Sequence, residues 1–282
     1  MKKYLWAALL AFLPVFAGAQ QLVVIQSPNL HCNDSVLVFI PQQYEDNYSD
    51  RYCVECCGEP AAVPALFLLH GWSGCFRDWS NKYDIQQVAD ETGFIILCPD
   101  GFYSSWYVNA NDPYDMQWRD FFDKELYPQL MEKYYLNPDK TFITGLSMGG
   151  HGAINLFLDD VSRFRAAGSM SGVLDLAYEK GRLGLERLLG PFVPENSRHA
   201  EESAVNRIDR DKEAGKLMLV SCGYSDTLFG ASSDFCERCR KAGVPYIAIF
   251  SPGVHSWKYW DYALRLHLWY FSRILNGENL GY

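Results

Sequence analysis

The sequence predicts an α/β fold in which a mostly parallel central sheet carries helices on both faces. Short, continuous apolar runs at residues 65–69, 94–98 and 216–223 are typical of strands that are buried on both sides of a parallel sheet. Segments with apolar residues at helical spacing, at 116–135 and 257–274, lie between or after these runs. The alternation of such strands with amphipathic helices is the pattern of an α/β domain.

Further elements complete this order. Strand-like runs at 22–25 and 35–40 come first, and a helix is predicted over 84–92. The polar, cysteine-bearing stretch 47–59 has no periodicity and is expected to form a surface excursion. Residues 181–213 are polar and helical only in places, and we expect them to form a cap or lid.

The first nineteen residues have the three parts of a signal peptide. Lys2 and Lys3 supply the charged start, residues 5–16 the apolar run, and residues 17–19 the small side chains of a cleavage site. The apolar run is too short to cross a bilayer. We therefore expect it to be removed on export, which leaves residues 20–282 as one soluble domain in the periplasm or outside the cell.

The charge balance narrows the choice of partners. Without Lys2 and Lys3 the formal net charge changes from -9 to -11. Such an acidic surface disfavours nucleic acid and anionic membranes, because it offers no basic patch to displace counterions. Aromatic residues make up 15% of the chain, which suits a domain with an aromatic-lined cleft.

The chain has nine cysteines, and export would place them where disulfides persist. Cys236 and Cys239 form a C-x-x-C in a predicted helix, and four others lie nearer the N-terminus, at 32, 53, 56 and 57. A zinc site made from two C-x-x-C pairs is a minor alternative, since disulfides or buried thiols explain the same spacing. Cys98 and Cys222 end apolar runs and are predicted to be small core residues.

Residues 140–152 contain a G-x-S-x-G motif between an apolar run and a helix-compatible segment. In this setting a sharp turn from strand to helix projects the Ser147 hydroxyl outward. Gly145 and Gly149 let the strand and the helix approach closely, where a Cβ would collide. The helix also directs its N-terminal N–H groups toward the position where an oxyanion would form. We therefore predict that Ser147 is a nucleophile.

The run 65–69 ends in the loop His70-Gly71-Trp72-Ser73-Gly74. A His-Gly loop after an early strand supplies an oxyanion-hole N–H in folds that carry a G-x-S-x-G elbow, and Trp72 is the predicted donor through its backbone. His70 itself is interpreted as structural, holding the loop by hydrogen bonds.

The aromatic loop 102–107 follows the carboxyl end of the strand at 94–98, where ligands bind in open α/β sheets. Trp106 and Tyr107 are therefore candidates for lining a substrate pocket, and Trp257 is a third candidate. Packing of the loop aromatics on one another explains Trp106 and Tyr107 equally well.

An acid and a base follow two further strands. Asp226 comes directly after the run 216–223, and His255 lies in the loop beyond a strand predicted over 244–250. Parallel strands present their carboxyl ends at one edge, so both residues are expected beside Ser147. The chain order nucleophile, acid, base is that of α/β-hydrolases.

Other residues compete for these two roles. Asp175 follows the strand beside the elbow and Asp261 lies near His255, but Asp226 is the preferred acid. Among the other histidines, His31 lies too early in the chain, His199 in the cap and His267 in the final helix. His151 lies on the elbow helix, with its side chain directed away from the serine.

These motifs together resemble the putative esterase family of α/β-hydrolases. The resemblance covers roughly residues 35–275 and rests on the run 66–79, the Gly-Leu-Ser-Met-Gly-Gly elbow, Cys-Gly-Tyr-Ser-Asp226 and Pro-Gly-Val-His-Ser-Trp-Lys-Tyr-Trp260. The family includes esterase D (S-formylglutathione hydrolase), tributyrin esterases, feruloyl and acetyl-xylan esterases, and mycolyltransferases. The insertion at 53–57 and the tail after Asn276 depart from its pattern.

The resemblance implies a site and a chemistry. Ser147, Asp226 and His255 would be nucleophile, acid and base, and the backbone N–H groups of Trp72 and Met148 would bind the oxyanion. The implied activity is hydrolysis of short-chain acyl esters by an exported serine carboxylesterase that needs no metal or organic cofactor.

Alternative activities and the expected partner follow from the same resemblance. An acetyl-xylan or feruloyl esterase acting on plant polysaccharide and an acyltransferase are the alternatives, while a non-catalytic binding protein is disfavoured by the intact site. The expected partner is a small-molecule or carbohydrate-linked ester. S-formylglutathione is disfavoured because an exported enzyme would not meet cytosolic glutathione.

Overall fold

In this computed structural model, an eight-stranded sheet organises the described residues, which are 20–47, 62–208, 215–278 and 280. The strands, numbered in chain order, are β1 (Gln21–Ser27), β2 (Cys32–Phe39), β3 (Ala65–Leu69), β4 (Ile95–Pro99), β5 (Thr141–Gly145), β6 (Ala166–Met170), β7 (Met218–Gly223) and β8 (Tyr246–Ser251). Their order across the sheet is β1-β2-β4-β3-β5-β6-β7-β8. The pairs β1–β2 and β2–β4 are antiparallel and the others are parallel, which confirms the predicted mostly parallel α/β sheet.

Helices follow most of the strands. The α-helices are α1 (Asp78–Lys82), α2 (Ile85–Thr92), α3 (Trp118–Phe121), α4 (Tyr127–Lys133), α5 (Met148–Asp159), α6 (Leu185–Leu189), α7 (Arg198–Glu202), α8 (Phe229–Ala242) and α9 (Trp257–Leu275). Short 3₁₀ helices span Gln42–Asn47, Pro138–Lys140, Val161–Arg163, Leu176–Tyr178 and Ala204–Asn206. Among the helices of the described ranges, none is both long and apolar enough to cross a bilayer.

The side chains of β3 show why helices cover both faces of the sheet. Phe67 and Leu69 pack in one apolar cluster with α4 and α5, whereas Leu66 and Leu68 pack in a second cluster with α2 and α9. Strand side chains alternate between the two faces, so an uninterrupted apolar run creates two apolar surfaces. Each surface requires its own layer of helices to exclude water.

The helix predicted over 116–135 is divided in the structure. It begins at Trp118 and widens into a π-helical turn, Phe122–Leu126, before α4. Pro128, in the first turn of α4, has no N–H to donate to the carbonyl four residues earlier. Regular α-helical hydrogen bonding therefore cannot run through this position, and the widened turn precedes it.

A partly buried ion-pair network joins the cap to the core. Arg207 of the cap contacts the carboxylate of Asp159, at the end of α5, and donates to the Asn155 side chain at 2.7 Å. Arg119 of α3 contacts both Asp159, at 3.0 Å, and Glu202 of α7. The cap is thereby attached to the same helix that begins at Ser147.

The described cysteines are mostly core residues. Cys98 and Cys222 are buried, as predicted. Cys236 and Cys239 are buried in α8, and burial and the nearby Cys222 thiol raise the pKa of Cys236 to about 12. Within the described ranges no three His, Cys, Asp or Glu side chains are grouped to hold a metal ion. Residues 1–19 and cysteines 53, 56 and 57 lie outside the described residues.

Candidate active site

The turn between β5 and α5 holds Ser147 in a strained conformation. Its φ of 52° and ψ of −115° are rare for a residue with a side chain. The Ser147 N–H donates to the Met170 carbonyl at 2.9 Å, and the Gly149 N–H donates to the Leu146 carbonyl at 2.7 Å. These bonds keep the serine at the point where the strand ends and the helix begins.

Close backbone contacts explain the two glycines of the motif. A Cβ on Gly145 would lie 2.5 Å from the backbone of Gly149, and a Cβ on Gly149 would lie 2.5 Å from the carbonyl oxygen of His70. Both distances are well inside van der Waals contact. Any larger residue would separate β5, α5 and the loop after β3, and would displace Ser147 from its neighbours.

His255 bridges Ser147 and Asp226. Its Nε2 lies 3.1 Å from the Ser147 Oγ, and its Nδ1 lies 3.0 Å and 3.1 Å from the two Asp226 carboxylate oxygens. Asp226 follows β7 and His255 follows β8, so the predicted meeting of three strand ends occurs at one edge of the sheet. Ser256, the next residue, caps the N-terminus of α9 and anchors the histidine loop.

The surroundings of the Asp226 carboxylate stabilise its ionised form. Its side chain has no exposed surface, and the Leu228 N–H donates to it at 2.9 Å. Burial on its own would raise the pKa of Asp226, but the hydrogen bonds from His255 and Leu228 outweigh burial and lower this pKa below its usual value. An ionised carboxylate at this position holds a proton on His255 Nδ1 and leaves Nε2 free to accept one.

The competing acids are engaged elsewhere. Asp175 accepts from the Ala177 N–H at 2.9 Å, as the cap of a 3₁₀ helix. Asp261 lies 3.4 Å from Arg265 on α9. The hydrogen bonds of His255 Nδ1 go to Asp226, which places this carboxylate where the acid was predicted.

The buried histidines have hydrogen bonds that keep them away from the chemistry. His70 Nε2 accepts from the Gly101 N–H at 2.7 Å and its Nδ1 faces the Gly71 carbonyl at 2.8 Å, which agrees with its interpretation as a structural residue. His151 Nδ1 lies 3.1 Å from the Val173 carbonyl. Burial lowers the pKa of His151 to about 3, so its ring is neutral.

Two backbone N–H groups remain available beside Ser147. Within the described part of the chain, no hydrogen bond uses the backbone N–H of Trp72 or Met148, whereas the neighbouring N–H groups of Ser73, Gly74 and Gly149 all donate to carbonyls. Trp72 and Ser147 line the same cleft. The two free donors are those predicted for an oxyanion hole.

The cleft at Ser147 has a volume of about 510 Å³. It is lined by residues of four segments, namely Gly71, Trp72, Ser73, Asp78, Leu146, Ser147, Leu183, His255, Ser256, Trp257 and Trp260. Trp257 lies in the cleft wall, as predicted. Its indole packs edge-to-face against Trp260, with 5.3 Å between the ring centroids.

The prediction that Trp106 and Tyr107 line the pocket is wrong. Both side chains are completely buried and neither contributes to the cleft. Both residues have positive φ, 53° and 58°, which turns the loop so that the rings point into the core. Trp106 donates from Nε1 to the Leu183 carbonyl, and the Tyr107 hydroxyl donates to the His70 carbonyl. The two aromatics therefore support the cleft from behind.

Asp78, Leu146, Leu183 and Trp260 are among the lining residues that sequence reasoning did not assign to the site. Trp260 follows Trp257 by three residues on a helix, and this spacing was a signal that both could face one side. Leu183 belongs to the irregular cap, where no periodicity indicates which side chain points inward.

Comparison with known proteins agrees with this geometry. The sequence model of the family described as "Putative esterase" matches residues 27–270. The chain belongs to the putative esterase family. Membership makes it a carboxylic ester hydrolase of the serine hydrolase type.

Several relatives share this fold over almost the whole chain. Mouse (Mus musculus) S-formylglutathione hydrolase is 24% identical over 93% of this chain and 96% of its own length. A solved ferulic acid esterase superposes with a TM-score of 0.76 at 24% identity, covering 92% of this chain and 99% of its own. The Staphylococcus aureus fluorophosphonate-binding serine hydrolase F superposes with a TM-score of 0.78 at 23% identity, covering 90% and 98% of the two chains.

Proposed function

We propose that this esterase is an exported serine carboxylesterase that hydrolyses short-chain acyl esters through Ser147, His255 and Asp226. The observation that carries the proposal is the unbroken hydrogen-bonded series from the Ser147 hydroxyl through His255 to the buried Asp226 carboxylate. A nucleophile, a base and an orienting acid in this arrangement define acyl transfer through a covalent intermediate.

The mechanism has two steps. His255 Nε2 accepts the Ser147 proton as Oγ attacks the ester carbonyl, and the same nitrogen then protonates the departing alcohol oxygen. Asp226 stabilises the imidazolium, while the N–H groups of Trp72 and Met148 donate to the oxyanion, each worth about 3 kcal/mol in such sites. In the second step His255 takes a proton from the water that attacks the acyl carbon and returns it to Ser147 Oγ as the acyl–serine bond breaks, which releases the carboxylic acid.

The charge of the cleft favours a neutral ester. Of the described residues that line it, Asp78 is the acidic one, and none is lysine or arginine. A thioester of glutathione carries two carboxylates and one ammonium, and its carboxylates would find no lysine or arginine in the described lining and would face the Asp78 side chain. This supports a neutral acyl ester over S-formylglutathione, although the mouse relative bears that substrate's name.

An aromatic or carbohydrate-linked ester is the second candidate. Trp72, Trp257 and Trp260 give the cleft three indole rings, and flat rings of this kind pack well against the aromatic or sugar rings of a substrate. A solved structural neighbour is named as a ferulic acid esterase. Feruloyl or acetyl groups on plant polysaccharide are the corresponding substrates. Acyl transfer to an alcohol would require the cleft to exclude water from the acyl-enzyme.

Export is supported by the sequence of residues 1–19, which combine Lys2 and Lys3, an apolar run and a small-residue cleavage site. Residues 20–282 would then form the mature enzyme as one α/β-hydrolase domain. N-terminal sequencing of the protein recovered from cell fractions tests this, with a first residue near Gln20 as the expected result. An intact Met1 on protein confined to the cytoplasm would contradict export.

The test of the catalytic assignment is Ser147→Ala. We expect hydrolysis of p-nitrophenyl acetate and butyrate to fall to background, and labelling by a fluorophosphonate probe to be lost, with an unchanged circular dichroism spectrum. Ser73→Ala, which alters another hydroxyl of the same cleft, is the matched control and should retain labelling. Full activity of the Ser147 variant would overturn the proposal. A parallel panel of acetyl, butyryl and feruloyl esters, acetylated xylan and S-formylglutathione ranks the substrate classes.

A further inference from the structure

We propose that Leu183 limits the size of the acyl group that the site accepts, and that Trp106 is the residue that holds Leu183 in place. The inference rests on the proposed esterase function and assigns the determinant of its acyl-chain preference.

Leu183 reaches the cleft from a different part of the chain than the other lining residues. Among the described residues around Ser147, Leu183 alone comes from the cap. The other walls come from the loop after β3, from the elbow and from the start of α9. Its side chain is partly buried and packs against the core cluster that contains α5. One branched aliphatic residue therefore closes the cleft on the cap side.

The backbone around Leu183 is strained. Lys180, Gly181, Leu183 and Gly184 have φ values of 49°, 78°, 57° and 87°. A residue with a side chain in this region costs about 1–3 kcal/mol and persists only where its surroundings impose it. Gly181 and Gly184 adopt this conformation without strain, whereas Lys180 and Leu183 are held in it by their surroundings. Leu183 lines the cleft from this turn.

Trp106 supplies one of the contacts that impose this turn. Its indole Nε1 donates to the Leu183 carbonyl at 3.0 Å. The Trp106 ring is completely buried and packs edge-to-face on His151, with 5.7 Å between ring centroids. His151 lies on α5, one turn after Ser147. Through the contacts of Trp106 with Leu183 and His151, the position of Leu183 depends on α5, the helix that carries the nucleophile.

The C-terminal end of the turn is fixed as well. A Cβ on Gly184 would lie 3.0 Å from the Ser104 hydroxyl, so the turn and the aromatic loop are in close contact. Gly184 precedes α6, whose Leu185 and Leu188 are completely buried. The Leu188 carbonyl accepts from the Asn111 N–H at 2.7 Å. These contacts hold the cap turn as a rigid wall.

We assign the acyl group to the cap side of the cleft. His255 must protonate the oxygen of the leaving alcohol, so the alcohol lies against the wall that carries His255, Trp257 and Trp260. Leu183 lies on a separate wall formed by the cap. The acyl chain extends away from the alcohol, and in this assignment the branched end of Leu183 limits its length.

The experiment compares kcat/KM for p-nitrophenyl acetate, butyrate, hexanoate and octanoate. Leu183→Ala removes the branched end, and we expect the ratio of hexanoate to acetate to rise about tenfold or more, since one methylene is worth 10–200-fold in an apolar pocket. Leu183→Phe should lower the ratio of butyrate to acetate about tenfold. Trp106→Phe keeps a buried ring but removes the indole N–H, and should raise the hexanoate ratio as Leu183→Ala does.

Two controls isolate the effect. Leu183→Met conserves volume and should keep the ratio within about twofold of wild type. Arg182→Ala changes the exposed neighbour on the same turn and should leave both activity and ratio unchanged. Because the ratio is internal to each variant, a general loss of folded enzyme does not alter it.

Each outcome has a distinct meaning. A Leu183→Ala ratio within twofold of wild type, in an enzyme whose activity still depends on Ser147, overturns this inference and leaves the proposed function standing. A change in preference among acetate esters of different alcohols, with an unchanged acyl profile, also overturns it. A wild-type protein that hydrolyses none of the esters overturns both proposals.

Discussion

Asp226→Asn tests the electrostatic design of the site with the least change in shape. The wild-type carboxylate accepts from the Leu228 N–H and faces His255 Nδ1 at 3.0 Å. Asparagine can still accept from Leu228 through its carbonyl oxygen, but its NH₂ group then faces Nδ1. His255 must present a lone pair there and carry its proton on Nε2, where it can no longer accept the proton of Ser147.

The expected loss is large because solvent does not reach the Asp226 carboxylate. The Asp226 side chain has no exposed surface, and its lowered pKa keeps it charged at neutral and mildly acidic pH. Removal of the equivalent charge in Ser-His-Asp enzymes lowers kcat by about 10⁴-fold. At 1.36 kcal/mol for each factor of ten, that corresponds to about 5 kcal/mol of transition-state stabilisation.

The assay is kcat for p-nitrophenyl acetate at pH 7, with circular dichroism and thermal unfolding to show that the variant is folded. Asp175→Asn and Asp261→Asn are matched controls on the competing carboxylates and should stay within about threefold of wild type, since neither contacts the histidine. A kcat of Asp226→Asn within tenfold of wild type would refute the reasoning. An equal loss in Asp175→Asn would show that the acid has been assigned to the wrong strand.

Two further predictions concern stability. Arg207→Met removes a buried cation from Asp159 and should lower the free energy of unfolding in urea by about 3 kcal/mol, the lower end for buried pairs because Arg119 still contacts Asp159. Arg240→Met, in an exposed pair, should lower the free energy of unfolding much less, because solvent screens that pair, and equal losses would contradict the difference in burial. Burial lowers the pKa of His267 to about 3. Between about pH 3 and pH 6.5, His267 is therefore protonated in the unfolded chain and neutral in the folded chain. The free energy of unfolding should therefore decrease as the pH is lowered below about 6.5. His267→Gln should reduce the slope of the free energy of unfolding against pH by up to about 1.4 kcal/mol per pH unit, and an unchanged slope would contradict a buried neutral ring.

Much of the site follows from local sequence because its residues sit at strand ends. Ser147, Asp226 and His255 each follow an apolar run, and parallel strands bring their carboxyl ends to one edge whatever the intervening loops do. The glycines of the elbow carry a similar local constraint, since their backbones touch neighbouring elements at distances that exclude a Cβ. Hydrogen-bonding distance between the three side chains is then a consequence of sheet order.

The errors have a different origin. Trp106 and Tyr107 follow a strand end too, but the left-handed backbone at both residues turns their rings into the core. Such a conformation depends on partners distant in sequence, here the carbonyls of Leu183 and His70. Placement after a strand therefore predicted the loop correctly and the direction of its side chains incorrectly.

The sequence alone predicted the fold class, the family and the three strand ends that bring Ser147, Asp226 and His255 together, because those depend on periodicity and on motifs read along the chain. The tertiary structure decided which residues face Ser147 across the cleft. Leu183 and Trp260 enter the site from segments whose position depends on buried contacts with other elements. Side-chain direction in an irregular segment is determined by packing against the whole domain, and for this reason the boundaries of the cleft emerged only from the folded structure.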